Sequence, residues 1–564
     1  MDYLKKNRRK KEMSTLPTPI TKTEKYLAAI SGVYADTLPD PVTREDRYLY
    51  YIAQNGAGSG EKPSLEDKIK NLYYNKRTGK VYQTKVWKFN SNPTSSCEKL
   101  LDNAGLVCEP STDTVEGRDD YADIQLFQWQ HVNYIRDDDG TPRPIALEDT
   151  PDYQVSGPFD VGSMQMSFWY KIDTTHKDYD LYTISDWPHP ELGLVPWPEC
   201  VKADHTMLPW CIGSAYFSGL ASDGLPRSQP GLAIENFQSH NNMVTNYQKK
   251  GAGYWGAGAV RNTFQILFNA IKYGTKNSQN IYKGCVRYNY QYSASIERSE
   301  KLKYFPLTNA QAANILVGSC AYVGYGSLSG ETVNIDRGAT TMRAYSGGMV
   351  KVLRIEALDN ANKAVYLDVK DGFDTMPVSL SDSVTGKITL STMAWPTGTT
   401  DAVIGKHDGS PVSNTDSKHP YRIQGREYAP GIYCVSSDTV MQFQTDYSKA
   451  VYVAPRGTAH TSNETEIKDT YKQIGIIPAM EDGGDWWVGD VEIDPDTGAW
   501  YPSVIGSGDS QGFGDRVYAG GTSTSGFREY LQGGLLGNWS DAGAAFLSCG
   551  SGLDRANWVF GGCD

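Results

Sequence analysis

Residues 533–564 read GGLLGNWSDAGAAFLSCGSGLDRANWVFGGCD, a run in which glycine and alanine keep a regular beat and bulky or polar side chains interrupt it. Glycine and alanine let backbones approach closely. The mixture belongs to a glycine-rich β structure, in which Trp539, Phe546 and Trp558 either fill a core or face outward. The segment alone leaves both readings open, so the rest of the chain has to decide between them.

At 564 residues the chain exceeds what one hydrophobic core usually serves, which points to two to four domains or to one large domain carrying insertions. Charged residues make up 21% and hydrophobic ones 39%, with 56 Gly and 37 Tyr, the composition of a soluble, loop-rich, strand-rich chain rather than a disordered one. A formal net charge of -12 leaves no excess of Lys and Arg to neutralise phosphates, so nucleic acid is not expected as a partner. No run of about 18 apolar residues occurs, and membrane insertion is not expected either. The basic start MDYLKKNRRKKEM is followed by no apolar stretch, which argues against export by a signal peptide. The nine cysteines are irregularly spaced and form no CxxC, so they fit neither a disulfide framework nor a zinc site. Most read as buried thiols, with a Cys97–Cys108 bridge as the lesser alternative.

Near the start, LPTPITKTEKYL at 16–27 returns as LPDPVTREDRYL at 38–49. Thr21 and Thr43 are candidate N-caps, and Glu24 and Asp46 stand three residues on, the spacing of a capping box. Two short helices are expected, each too small to make a domain, ending in a flexible GAGSG linker at 56–60. Residues 1–60 therefore read as a leader for attachment or oligomerisation. After it the pattern turns to β, as in KVYQTKVWK at 80–88, SFWYKI at 167–172 and MVKVLRI at 349–355. The clearest helix is 261–274, where Phe264, Leu267, Phe268 and Ile271 recur at i, i+3, i+4 and i+7 and Gly274 supplies a C-cap. A second helical start at 308–314 leads into 315–324, which has the form of a strand. Together these suggest a small β-barrel inserted at about 290–370.

Chemistry-bearing motifs are scarce. The eight histidines show no HxxxH or HxH spacing, so no metal centre is expected. The runs Asp137–Gly140 (DDDG) and Asp494–Gly498 (DPDTG) place oxygens close together, yet neither continues to a bidentate Glu, and both read as tight turns. No nucleophile elbow, phosphate loop or dinucleotide fingerprint stands in a strand-to-helix context. Among 66 acidic residues nothing singles out a catalytic pair.

Residues 152–186, 209–218 (PWCIGSAYFS), 251–255 (GAGYW), 273–279 (YGTKNSQ), 421–428 (YRIQGREY) and the closing glycine-rich run resemble, in this order, tail-associated proteins of phages and prophages of gut bacteria. The likeness runs from about residue 60 to the end. It implies an α+β, β-rich, C-type-lectin-like fold of the formylglycine-generating-enzyme type, with parts at 61–289 and 371–564 flanking the barrel at 290–370 and following the leader at 1–60. It further implies a virion tail location, a homotrimer, contacts with other tail proteins through the leader, and a bacterial surface receptor of protein or glycan. In many relatives the terminal segment is rewritten by a diversity-generating retroelement. The residues that the oxidases of this fold use to bind copper have no counterpart here: the chain reads GGLLG at 533–537 and DRAN at 554–557, with only Cys549 and Cys563 nearby. A non-enzymatic binding protein without cofactor is the expectation, with a glycan-cleaving tail spike or a divergent oxidase as the alternative. A second departure is GIYCV at 431–435, where many members carry a GNVWEW-like strand.

Under that resemblance Gly533, Gly534, Ala542, Gly543 and Ala544 form a fixed framework. Leu535, Leu536, Asn538, Trp539, Asp541, Phe546, Ser548, Asn557 and Trp558 are then expected on or beside a contact surface, as aromatic anchors within a polar rim.

Overall fold

A computed structural model describes residues 65–73, 76–88, 97–326, 336–481, 484, 486–506, 508–518, 520–521 and 526–564. The two leader repeats and the 56–60 linker lie outside these residues. The described chain is β-rich, with several sheets and few helices. The segments expected to be strands are strands at Val81–Trp87, Trp169–Asp173 and Val350–Ala357. In the first, Tyr82, Thr84 and Val86 are buried while Gln83 and Lys85 are half-buried, the two-residue alternation of a strand with one covered face.

Two antiparallel sheets form the N-terminal part. One orders Cys97–Leu101, Val81–Trp87, Tyr179–Ser185, Trp169–Asp173 and Val195–Pro196; the other orders Pro142–Leu147, Trp129–Arg136, Asp160–Met166 and Trp210–Ser214. A third sheet is built on the long strand Tyr433–Phe443, which pairs with Lys449–Val453, with Arg528–Gln532 and, in parallel, with Phe560–Gly561. One apolar core draws residues from Ile69 to Cys549, so the parts before and after the insertion share an interior. Four charges tie distant strands together inside it: Lys88 and Lys276 both pair with Asp180 of the first sheet and with Asp490 of the hairpin strand Trp487–Ile493. Removing one partner of such a buried group costs about 3–5 kcal/mol.

The expected helix is present as Val260–Phe268, continues as a π-helical turn over Asn269–Tyr273, and stops at Gly274 with φ 66°. Phe264, Leu267, Phe268 and Ile271 are all in the core. Its polar flank is buried as well, so each group has to find a partner. Asn262 donates to the Ala544 carbonyl at 2.8 Å, Thr263 to the Gly498 carbonyl at 2.6 Å, and Gln265 to the Tyr421 hydroxyl. The helix is thereby stitched to both the terminal segment and a hairpin turn.

The inserted sheet has seven strands and a core of its own. Its longest strand, Val384–Met393, pairs with Gln291–Ser293, Cys320–Gly326 and Val378–Ser381. Ser295 N donates to Pro306 O at 3.0 Å, which brings the two ends of the sheet together. Two expectations need correction. The sheet runs to Met393, so a boundary at 370 cuts off two of its strands, one of which holds the others in register. The strand expected from Ile315 begins at Cys320, because the capped helix Asn309–Ala312 is followed by a turn in which Gly318 has φ 91°.

Both acidic runs are turns. Gly140 N donates to Asp137 O at 2.9 Å, and Gly498 N to Asp494 O at 2.8 Å, each glycine at positive φ. All nine cysteines are free; Cys97 and Cys108 are half-buried and unbridged, and the other seven are buried.

Candidate functional site

The terminal segment leaves the strand Arg528–Gln532 through Gly533 and Gly534 and then runs across the face of the body. Its small residues are required by contact. A Cβ on Gly534 would stand 2.4 Å from Ala542 Cβ, and one on Gly543 would stand 2.0 Å from Asp515 Oδ1. Ala544 N donates to Ser278 Oγ at 3.1 Å and Ala545 N to Asp515 Oδ2 at 2.7 Å, so the backbone is held where it passes the core. Burial pushes the Asp515 carboxyl up to about 8, although the Ala545 amide acts in the opposite sense.

Between these anchors stands a short turn at Trp539–Asp541. Trp539 N donates to Val286 O at 3.0 Å, and Asn538 Oδ1 accepts from Leu535 N at 2.7 Å. From beneath, the Gln279 carboxamide donates to the Ser540 carbonyl at 2.9 Å and to that of Ala542. The indole of Trp539 is 52% exposed and carries the guanidinium of exposed Arg287 at 4.0 Å from its ring centre. Its φ is 56°, the left-handed region that a bulky side chain seldom enters. Beside it, Asp541 accepts from Tyr518 Oη at 2.5 Å and pairs with Arg516 at 3.2 Å. Burial and then Asp541 hold the Tyr518 phenol up at about 12, so it remains a donor.

The nine expected contact residues divide. Asn538, Trp539 and Asp541 share the turn. Leu535 is half-buried against the cluster formed by Tyr433 and Phe546, and Ser548 is half-buried in a two-residue strand. Asn557 and Trp558 are half-buried nearer the inserted sheet, where Asn236 donates to the Trp558 carbonyl at 3.1 Å and Arg337 lies 4.9 Å from its ring. Trp558 packs against two clusters, one of Cys285, Tyr288, Trp395 and Leu536 and one of Cys320, Tyr322 and Met393. Leu536 and Phe546 are corrections: both are 0% exposed. Leu536 fills a space between Cys285, Tyr288 and Trp395, and Phe546 stacks on Tyr433 with ring centres 5.4 Å apart. They fasten the segment down and touch no solvent.

A second feature is absent from the sequence reading. A cavity of about 190 Å³ opens at the start of the helix Val260–Phe268, where Arg136, Trp255, Arg261, Arg426, Asp438 and His460 converge. Desolvation holds the His460 imidazole down to about 4, so it is neutral at pH 7. These residues lie far apart in sequence and share no spacing, and only the folded chain brings them together. No family model matches the sequence, and no curated protein matches it.

Proposed function

We propose that the chain is a tail-associated receptor-binding protein of a phage or prophage, with a C-type-lectin-like body, that adheres to a bacterial surface through the turn bearing Trp539. On this reading it is a non-enzymatic homotrimer joined to other tail proteins through residues 1–60. The observation that carries the proposal is Trp539 itself. A large, half-exposed ring held in a left-handed conformation is unfavourable by about 1–2 kcal/mol. Strain of that kind persists where the surroundings over-determine it, and it concentrates at binding sites. The surroundings here are Gln279 below and the buried Leu536 and Phe546 on either side. An indole needs little further ordering to bind, and Arg287, Arg516 and Asp541 supply a polar rim.

The test is adhesion of the labelled full-length chain to a panel of gut bacterial strains, read by flow cytometry. The wild type is expected to mark a subset of strains, and Trp539→Gly to reduce that signal at least about tenfold, as for a central aromatic anchor. Equal staining by the variant, or no strain stained, refutes the proposal.

A further inference from the structure

The four buried charges that join the first sheet to the hairpin strand Trp487–Ile493 hold an arrangement that an ion pair does not require. Asp180, on the strand Tyr179–Ser185, has a fully enclosed side chain, and those of Lys276 and Asp490 are 1% and 2% exposed. The ammonium of Lys276 lies against Asp180 Oδ2, and that of Lys88 stands 3.1 Å from Oδ1. Neither oxygen accepts a hydrogen bond among the described residues, so both amines sit beside the carboxyl but off its lone-pair directions. Two other buried lysines differ. Lys250 donates to Asp564 Oδ2 at 2.7 Å and Lys272 to Asp408 Oδ2 at 2.7 Å, each in ordinary hydrogen-bond geometry.

Each group around Asp180 has a place in one reaction. Lys276 Nζ is a nucleophile beside a carboxyl, and it donates to Asp490 Oδ1 at 3.2 Å, which can take its proton. Asp490 is kept in place by the Val491 amide at 3.0 Å and by Lys88, 3.0 Å from its other oxygen. Lys88 also faces the oxygen of Asp180 on which negative charge gathers during attack, and it is anchored by the Thr174 carbonyl at 2.7 Å. Burial pushes the Asp180 carboxyl above its ordinary value, toward the protonated form that an amine attacks, with Lys276 acting in the opposite sense. The ring of Phe513 lies 5.3 Å from Lys276 Nζ, and the enclosure favours loss of water over hydrolysis. We propose that Lys276 and Asp180 become joined by an intramolecular amide bond between Nζ and Cγ, with Asp490 as the proton carrier. The N–C bond forms as Nζ attacks Cγ, and one Cγ–O bond breaks. The departing oxygen leaves as water with the two protons lost by the Lys276 ammonium, which Asp490 relays. One buried charge pair is consumed, and Lys88 and Asp490 remain to neutralise each other. The amide ties the first sheet to the chain just past the helix Val260–Phe268.

Intact-mass spectrometry of the purified full-length protein, followed by peptide mapping, tests it. The wild type is expected to be lighter than its sequence by the mass of one water molecule, and digestion to release a branched species joining the peptides that hold Lys276 and Asp180. Lys276→Met and Asp180→Ala should each show the full sequence mass. Asp490→Asn keeps both reacting groups but should form the bond at least about a hundredfold more slowly, so that fresh protein carries the full mass. A folded wild type of full sequence mass, unchanged after prolonged incubation, overturns the proposal. So does a loss of water confined to one peptide, as cyclisation at an Asp-Gly pair would give. An Asp490→Asn protein that cross-links as fast as the wild type overturns the role given to Asp490. Should the variants fail to fold, the wild-type mass and its branched peptide decide alone. None of these outcomes depends on the adhesion reading, which cell staining tests separately.

Discussion

Replacing Trp539 by glycine separates display from scaffold more cleanly than any other change in the terminal segment. The ring loses its contact with Arg287, about 0.5–1 kcal/mol at an exposed position. The covered half of the indole gives up about 1–1.5 kcal/mol of burial, and the freer unfolded chain takes about 0.5–1 kcal/mol more. Against these stands relief of the left-handed strain at φ 56°, about 1–2 kcal/mol. The net loss is about 1 kcal/mol. Phe546→Ala, two anchors further along, removes a fully buried ring stacked on Tyr433 and should cost about 3–5 kcal/mol. Urea unfolding of the three proteins, with midpoint shifts multiplied by the common m-value, measures both. If Trp539→Gly costs as much as Phe546→Ala, the indole is a core residue and the argument from strain is wrong.

Burial pushes the carboxyls of Asp515 and Glu529 up to about 8 each, so between their ordinary values of 3.8 and 4.5 and about pH 8 the native state holds protons that the unfolded state releases. Their contribution to stability is whole below the ordinary values and is lost as pH rises through about 8; melting temperatures should fall toward alkaline pH, and Asp515→Asn should flatten that fall. Cys434 and Cys563 hold their Sγ atoms 3.5 Å apart, and treatment with diamide is expected to link these two thiols. Peptide mapping by mass spectrometry would show the Cys434–Cys563 crosslink, and its absence from a sample oxidised at other cysteines would count against the packing of the terminal segment on the central strand.

Much of the framework was legible in the sequence because local chemistry dictated it. The helix through Phe264 and Phe268 announced itself by period and by Gly274, and the two acidic runs by the turn that Asp and Gly prefer. Leu536 and Phe546 were not legible as interior residues. In a glycine-rich run without period, nothing local distinguishes a side chain pointing inward from one pointing out, and the deciding contacts come from Tyr288, Trp395 and Tyr433 far upstream. The cavity was hidden for the same reason, since Arg136, Arg261 and Arg426 carry no mutual spacing. The end of the inserted sheet was misplaced because its last strand pairs mainly with strands made much earlier.

The parallel pairing of Phe560–Gly561 with Tyr433–Cys434 has a consequence for biosynthesis. The middle of the main sheet waits, with one rim unzipped, until the ribosome has delivered a stretch more than a hundred residues downstream. A version of the final segment that misplaced its fasteners would never close that rim, and would be exposed to proteases as a half-made molecule. The central strand is thus completed on that side only by residues 560–561, and its folding is coupled to theirs.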